Sequence, residues 1–343
     1  MPLFVDLQAF ADRPMKPAVF DSDFLGPAVV GIPAAPSFLV HAAATIAEVK
    51  KTIQILESQP RVKIIHTKQD LMQVVSSQYL ARDTEKLIGV VLGLQQLPYD
   101  ANLEVVEELY DLGIRLATLA YKDNESPYAG GFLSDKPLTE TGVSLMEMMA
   151  QVGMWLDLSH SGHRTARMAL DTIKFGLTDK LRVLATHTGA YSVYNFTRNL
   201  PDDVLLGIAE NRGLVGLYCL TFGLDPEDDS FTPFCRHLNH VRRICGNEVV
   251  AIGTDGTYRH VPEHDQREQF ELMSRKVDPD GRMRSRFPVE PKELNTPDRE
   301  LVLKSVLSNL AHLNSDAVSS VMHGNALRFL EENLPNKVVL PAA

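Results

Sequence analysis

Short apolar runs that alternate with helix-spaced stretches, eight times over, constrain this chain more than any other feature. The apolar runs cover residues 3–7, 62–65, 87–94, 114–119, 153–158, 181–186, 213–218 and 249–254. Between them, apolar residues recur every three or four positions over about 42–56, 69–80, 102–112, 139–152, 163–173, 201–211 and 233–245. Ile46, Val49, Ile53 and Leu56 show the spacing in the first of these. Asn102 and Thr139 stand where helices need an N-cap, and Gly113 where one needs a stop. Strands buried on both faces and separated by helices form parallel sheets. Two architectures satisfy the pattern: a doubly wound open sheet and a closed (β/α)8 TIM barrel. The count of eight, and the polar residues that follow the runs, favour the barrel as one domain over residues 1–343.

The rhythm breaks at Thr257. From there to Asp298 the chain is polar and rich in Arg and Pro, which reads as a long active-face loop or lid. Residues from about 299 to 334 return to helical spacing and should pack outside the barrel. Hydrophobic residues make up 44% of the chain, enough for a large core. The formal net charge of −10 argues against a nucleic-acid partner, since phosphate binding needs clustered Lys and Arg. No run reaches the roughly 18 apolar residues of a spanning helix. The first residues, MPLFVDLQAF, lack a basic stretch followed by a long apolar one, so a cytoplasmic protein without a membrane partner is expected. The three cysteines, Cys219, Cys235 and Cys245, match no zinc knuckle and read as reduced thiols in or near the core.

Catalytic groups of such barrels lie at the C-terminal ends of the strands. Here the fifth run ends in Leu158-Ser159-His160, the sixth in Thr186-His187 and the eighth in Gly253-Thr254-Asp255. Two imidazoles and a carboxylate on one face suffice for a metal site with an open position for water. Alone, a histidine after a strand is more often a packing residue, and an aspartate there often caps the next helix. Their joint placement carries the metallo-hydrolase reading. Arg198, in the loop after the sixth run, suits a substrate carboxylate. It equally suits an ion pair with Asp202 or Asp203. His237 and His240 lie one turn apart on a helix outside the barrel, where packing is the favoured reading. His260 and His264 fall in the long polar segment, without an assigned role. Met146, Met148 and Met149 read as core.

Several motifs resemble the membrane (renal) dipeptidases. They are HTGAYSVYNFTRNLPDDVL at 187–205, GMWLDLSHSGHRT at 153–165, ELYDLGIRLATLAY at 108–121, HLNHV at 237–241, VVAIGTD at 249–255 and VMHGNALRFL at 321–330. The resemblance runs from about residue 60 to the end. It implies a (β/α)8 barrel with two zinc ions that hydrolyses dipeptides. His160 and His187 match the two histidine ligands of one zinc, and Asp255 a carboxylate ligand of the other, close to the catalytic water. Arg198 matches the arginine that receives the substrate carboxylate. Tyr121 stands where the family has a substrate-side histidine.

Besides Tyr121, three metal-ligand positions depart from that pattern. Gln8 and Phe10 stand where the family keeps a His-x-Asp pair, and Gln95 where a glutamate bridges both metals. A neutral amide oxygen is a weak ligand and cannot offset two neighbouring dications. Asp6, Asp12, Asp21 and Asp23 are the carboxylates near enough in sequence to substitute. The expected function is therefore hydrolysis of the amide bond in a small carboxylate-bearing, dipeptide-like substrate. At most one zinc or other divalent ion is expected, with Asp255 as the base. The alternative is a non-catalytic binding barrel without metal, and a third is a structural subunit. The family's frequent dimers leave a homodimer open.

Overall fold

The computed structural model describes residues 3–9, 27–82, 85–123, 125–134, 136–177, 180–258, 260–296 and 298–336. Nine strands form one parallel sheet: β1 Val5–Asp6, β2 Val29–Pro33, β3 Val62–Ile64, β4 Ile88–Leu94, β5 Ile114–Ala117, β6 Trp155–Asp157, β7 Val183–Thr188, β8 Val215–Leu217 and β9 Val250–Ile252. β1 pairs with both β9 and β2, and β2 pairs with β4 from Val29↔Gly89 to Pro33↔Gly93. The ring β1-β2-β4-β5-β6-β7-β8-β9 therefore closes as an eight-stranded barrel.

One strand of that ring differs from the sequence expectation. The second barrel strand is β2, in the stretch AVVGIPAA, and not the run at 62–65. The latter forms β3, which pairs only with the first half of β4, from Ile88 to Val90, outside the ring. The two compete on nearly equal terms, because β2 offers only five residues, one of them glycine and the last proline. A proline is tolerated at a strand terminus, where its missing N–H leaves no ladder bond unmade.

The helices are α1 Ala42–Glu57, α2 Lys68–Leu80, α3 Leu103–Asp111, α4 Glu140–Val152, α5 His163–Thr172, α6 Asp202–Glu210, α7 Thr221–Leu224, α8 Thr232–Cys245, α9 Glu263–Val277, α10 Arg299–Ser305, α11 Ser315–Ser319 and α12 Asn325–Asn333. Their starts follow capping chemistry. Asn102 accepts from Val105 N at 3.0 Å, Thr139 from Gly142 N at 3.0 Å, and Thr67 forms a capping box with Asp70. The segment from 257 to 298 is not all loop, since α9 occupies part of it. Its first seven residues are all polar and its few apolar ones, Phe270, Leu272, Met273 and Val277, fall in the second half, so the apolar period is weak. Its i,i+4 pairs Glu263–Arg267 and Glu271–Arg275 give weak support instead. Beyond it, Arg282 reaches Leu133 O at 2.9 Å and Arg286 reaches Asp225 O at 3.0 Å. The segment thus bridges the loops that follow β5 and β8.

At the opposite end, α12 plugs the barrel. Phe329 meets Trp155 edge to face at 5.1 Å, and both pack with Leu184, Leu214 and Ala326. Asn325 Nδ2 donates to Asn247 O and Val250 O, which ties α12 to the entry of β9. This end is sealed with apolar side chains, so the strands' C-terminal ends are left to carry the chemistry.

Candidate active site

β6, β7 and β9 deliver His160, His187 and Asp255 to the C-terminal mouth, and all three are buried. His160 and Asp255 take left-handed backbone conformations, with φ of 68° and 55°. For non-glycine residues each costs roughly 1–3 kcal/mol and persists only where the surroundings enforce it. Two glycines let the strand ends close up. A Cβ on Gly253 would fall 1.8 Å from the Thr186 carbonyl oxygen, and one on Gly216 would fall 1.9 Å from the same atom.

The two imidazoles face each other, Nε2 to Nε2, at 2.9 Å. Arg198 Nη2 lies 3.1 Å from His160 Nε2 and 3.0 Å from Asp255 Oδ2, so it bridges the imidazole and the carboxylate. The guanidinium also covers the Tyr218 ring at 5.1 Å. Tyr121 stacks on His160, with centroids 4.4 Å apart. Behind His187, Nδ1 sits 2.7 Å from Thr186 Oγ1, which is 2.5 Å from Asp157 Oδ2.

Proton placement along this line has two consistent solutions. If Asp157 is a carboxylate, Thr186 donates to it and accepts Nδ1–H of His187. The two Nε2 lone pairs then face each other, an arrangement that a shared cation relieves. If Asp157 carries a proton, the line reverses and His187 Nε2–H donates to His160. Burial and the Arg198 charge hold His160 and His187 well below the usual histidine pKa, so both rings are neutral and can offer lone pairs. Burial pushes Asp255 up to about 6, against the pull of Arg198.

Four buried atoms at this centre lack hydrogen-bond partners among the described residues: His160 Nδ1, Arg198 Nε and Nη1, and Asp255 Oδ1. Buried polar atoms without partners are costly and point to a missing ligand. The facing imidazoles fit a cation. Two nitrogens bound to one tetrahedral zinc at about 2.0–2.1 Å would stand roughly 3.3 Å apart, close to the observed 2.9 Å. The carboxylate is less ready. Among the described residues no three His, Cys, Asp or Glu converge as a metal cage, and Arg198 Nη2 bonds both His160 and Asp255.

The other expected residues divide clearly. Arg198 does not pair with Asp202 or Asp203, which bond His240 at 2.8 Å and Arg167 at 2.5 Å. His237 is a packing residue: Nδ1 accepts from Ala190 N at 2.8 Å, and Nε2 faces Leu224 O at 3.0 Å. His260 bonds Asn295 O, and His264 is exposed beside Asp265. Gln8 and Gln95 are buried. Asp6 is engaged by Thr254, Tyr258 and Gln8, so its oxygens are not free for a metal. Phe10, Asp12, Asp21 and Asp23 lie outside the described residues. Sequence reasoning missed Asp157, Thr186, Tyr218 and Asn199. A signal existed for the first, an aspartate inside the otherwise apolar run GMWLDL.

A parallel barrel with histidines, a carboxylate and an arginine at its C-terminal mouth defines a hydrolase-type TIM barrel. Residues 21–275 match the profile of the membrane dipeptidase family, peptidase family M19. The chain belongs to this family. An uncharacterised dipeptidase of Schizosaccharomyces pombe is 33% identical over 178 residues, 49% of this chain and 41% of that protein. A dipeptidase of Clonostachys rogersoniana is 31% identical over 199 residues, 57% of this chain and 48% of the other. The match thus spans about half the length of these curated relatives. Among solved structures, an amidohydrolase from Pseudomonas aeruginosa superposes with a TM-score of 0.75 at 19% identity, covering 98% of this chain and 97% of its own. A metallo peptidase from Rhodobacter sphaeroides, liganded with a phosphinate mimic of the dipeptide L-Ala-D-Ala, gives 0.69 at 18%, covering 97% and 99%. At these identities the structures speak for the fold.

Proposed function

We propose that this chain hydrolyses the amide bond of dipeptides and similar small carboxylate-bearing amides, using His160, His187, Asp255 and Arg198 with at most one divalent cation, zinc or a similar ion. The observation that carries the reading is the buried Arg198 guanidinium, whose Nε and Nη1 have no acceptor among the described residues. A substrate carboxylate supplies acceptors and opposite charge at once. His160 and His187 would hold the cation through Nε2. Bound there, a divalent ion lowers the pKa of water and polarises a carbonyl. Gln8 and Gln95 are neutral amides, so the charge needed for a second dication is lacking. When Arg198 turns to the substrate carboxylate, Asp255 loses its hydrogen bond and can take a proton. Beside Arg198 its pKa is already raised to about 6, and loss of that hydrogen bond raises it further, which suits a base near neutral pH. Tyr121, stacked on His160, would line the substrate side and keep water away.

One observation favours a second reading, a metal-free binding barrel. Arg198 already supplies positive charge between His160 and Asp255. Metal analysis of the purified protein, with hydrolysis assays across a dipeptide panel, separates the two. About one ion per chain and activity abolished by His187→Ala are expected. Two ions per chain would overturn the site. No ion, and no hydrolysis after zinc is added, would leave the binding barrel.

A further inference from the structure

The strand ends that present His187 and Asp255 are held by the same arrangement twice, on opposite sides of β8. At the end of β6, Asp157 Oδ1 accepts from Ser159 N at 2.9 Å and Thr186 N at 3.1 Å, while Oδ2 accepts from Thr186 Oγ1 at 2.5 Å. At the end of β1, Asp6 Oδ1 accepts from Gln8 N at 3.1 Å and Thr254 N at 2.9 Å, while Oδ2 accepts from Thr254 Oγ1 at 2.6 Å. The register is also the same. Asp157 pairs with Leu184 and Asp6 with Ile252, so each threonine lies two residues beyond its aspartate's partner. The next residue after each threonine is the site residue. Its own N–H is held by the residue two beyond the aspartate: His187 N donates to Ser159 Oγ at 3.0 Å, and Asp255 N to Gln8 O at 2.9 Å.

We propose that Asp157 and Asp6 are positioning residues, each fixing one site residue through the threonine before it on the neighbouring strand. A merely satisfied pair of buried carboxylates would need hydrogen-bond donors from somewhere. It would not need the same atoms, the same register and the same place in the site twice over. Apolar pairs in these positions would avoid the desolvation of two buried charges. Each clamp does a different task. As a carboxylate, Asp157 accepts the Thr186 hydroxyl hydrogen bond. Thr186 Oγ1 then accepts Nδ1–H of His187, and the bare Nε2 is left facing His160. Asp6 holds the backbone and hydroxyl of Thr254. That grip keeps Asp255 left-handed and aims its carboxylate at Arg198. The inference deepens the reading of this site, but its test uses neither metal nor catalysis.

The threonine variants separate positioning from packing. Val keeps the shape of Thr and loses its hydroxyl; Ser keeps the hydroxyl and loses the methyl. Nitrogen-15 NMR on histidine-labelled, metal-free protein reads which ring nitrogen of His187 carries the proton. Unmodified protein and Thr186→Ser should show Nδ1–H. Asp157→Asn points an amide N–H at Thr186, which turns its proton toward Nδ1, so the His187 proton should move to Nε2. Crystal structures of Thr254→Val and Thr254→Ser test the second clamp. Val should break the Asp255–Arg198 contact and Ser should keep it. An unchanged tautomer in Asp157→Asn would overturn the first clamp. A Thr254→Val structure with that contact intact would overturn the second. A protein active on dipeptides with either result would leave the function standing and only the clamps refuted.

Discussion

Replacing Arg198 by methionine removes the only charge that bonds the Asp255 carboxylate among the described residues. Both partners are about 4% exposed at their side chains, so solvent cannot substitute. Breaking one partner of a buried pair typically costs about 3–5 kcal/mol, and the lost contact with the Tyr218 ring adds up to about 1 kcal/mol. The penalty has a particular pH dependence. Asp255 is already raised to about 6, and without the guanidinium it rises further. A carboxyl whose folded pKa lies above its unfolded value binds more protons when folded, so stability falls as pH increases through that window. Arg198→Met should therefore be about 3–5 kcal/mol less stable than the parent at pH 8 and clearly less penalised at pH 5. Asp255→Asn alone leaves the guanidinium buried without a counter-charge and costs about 2–3 kcal/mol. The double variant removes both problems, so the double-mutant cycle should return a coupling of about 2–4 kcal/mol. Urea unfolding followed through the fluorescence of the single, buried Trp155 supplies all four values. A coupling below about 0.5 kcal/mol, or an Arg198→Met penalty independent of pH, would refute the picture of a desolvated ion pair.

Three further outcomes follow from the same geometry. His237 uses Nδ1 as an acceptor and is held at a pKa of about 4 by burial, against 6.5 when exposed. The unfolded chain gains its proton first as pH falls, so about 3 kcal/mol of stability should vanish between pH 6.5 and 4; a His237→Gln variant whose unfolding free energy keeps the full slope would contradict this. Gly253→Ala puts a methyl 1.8 Å from the Thr186 carbonyl and should lower stability by about 3 kcal/mol or more, with a thermal midpoint within a degree of the parent as the failing result. Arg198→Met should raise zinc affinity about thirtyfold, since a dication and a guanidinium roughly 4 Å apart repel by about 2 kcal/mol even at the dielectric of water; weaker binding in a chelator competition would argue against a cation on the imidazoles.

The barrel was legible because buried parallel strands are continuous apolar runs, and seven of the eight ring strands announced themselves that way. β2 did not, because Val29–Pro33 is short and interrupted by glycine, while the run at 62–65 has the same apolar character. Only pairing geometry decides which of them joins the ring. Helix α9 was hidden for another reason: its first half is wholly polar, and Leu272 and Met273 in its second half are exposed, so the apolar period is weak. In the site, His160, His187 and Asp255 could be read because strand ends fix where side chains emerge. For Arg198 the residues alone left a substrate carboxylate and an ion pair with Asp202 or Asp203 equally open, and it pairs with neither aspartate but with Asp255. Its place in the loop between β7 and α6 leaves its direction to tertiary contacts. Two of those contacts, from Asn199 to Gly223 O and from Tyr218 to Asn199, span separations no local pattern carries. Asp157 and Asp6 could have been noticed as charges within apolar strands. Their shared register with Thr186 and Thr254 needed the sheet.

The charge balance of the site makes one last consequence unavoidable. Two neutral imidazoles, one guanidinium and one carboxylate sum to zero, and the guanidinium and carboxylate are spent on each other. A cation binding alone meets the Arg198 charge 3.1 Å from His160 Nε2. A substrate carboxylate binding alone must displace Asp255 and leave it buried and unpaired. Bound together, the two ligands relieve both costs, for Asp255 turns to the cation and Arg198 to the carboxylate. The anchored Asn199 and the Tyr218 ring hold the loop and the guanidinium's flank, so only the tip of Arg198 needs to shift. The two affinities must then be coupled, and by linkage the coupling is the same in each direction, commonly 1–3 kcal/mol or about 5- to 150-fold. Zinc affinity measured with and without a phosphinate dipeptide analogue should rise by that factor, and the analogue's affinity should rise equally on adding zinc. Equal zinc affinities in the two titrations would show that Arg198 and Asp255 are not exchanging partners.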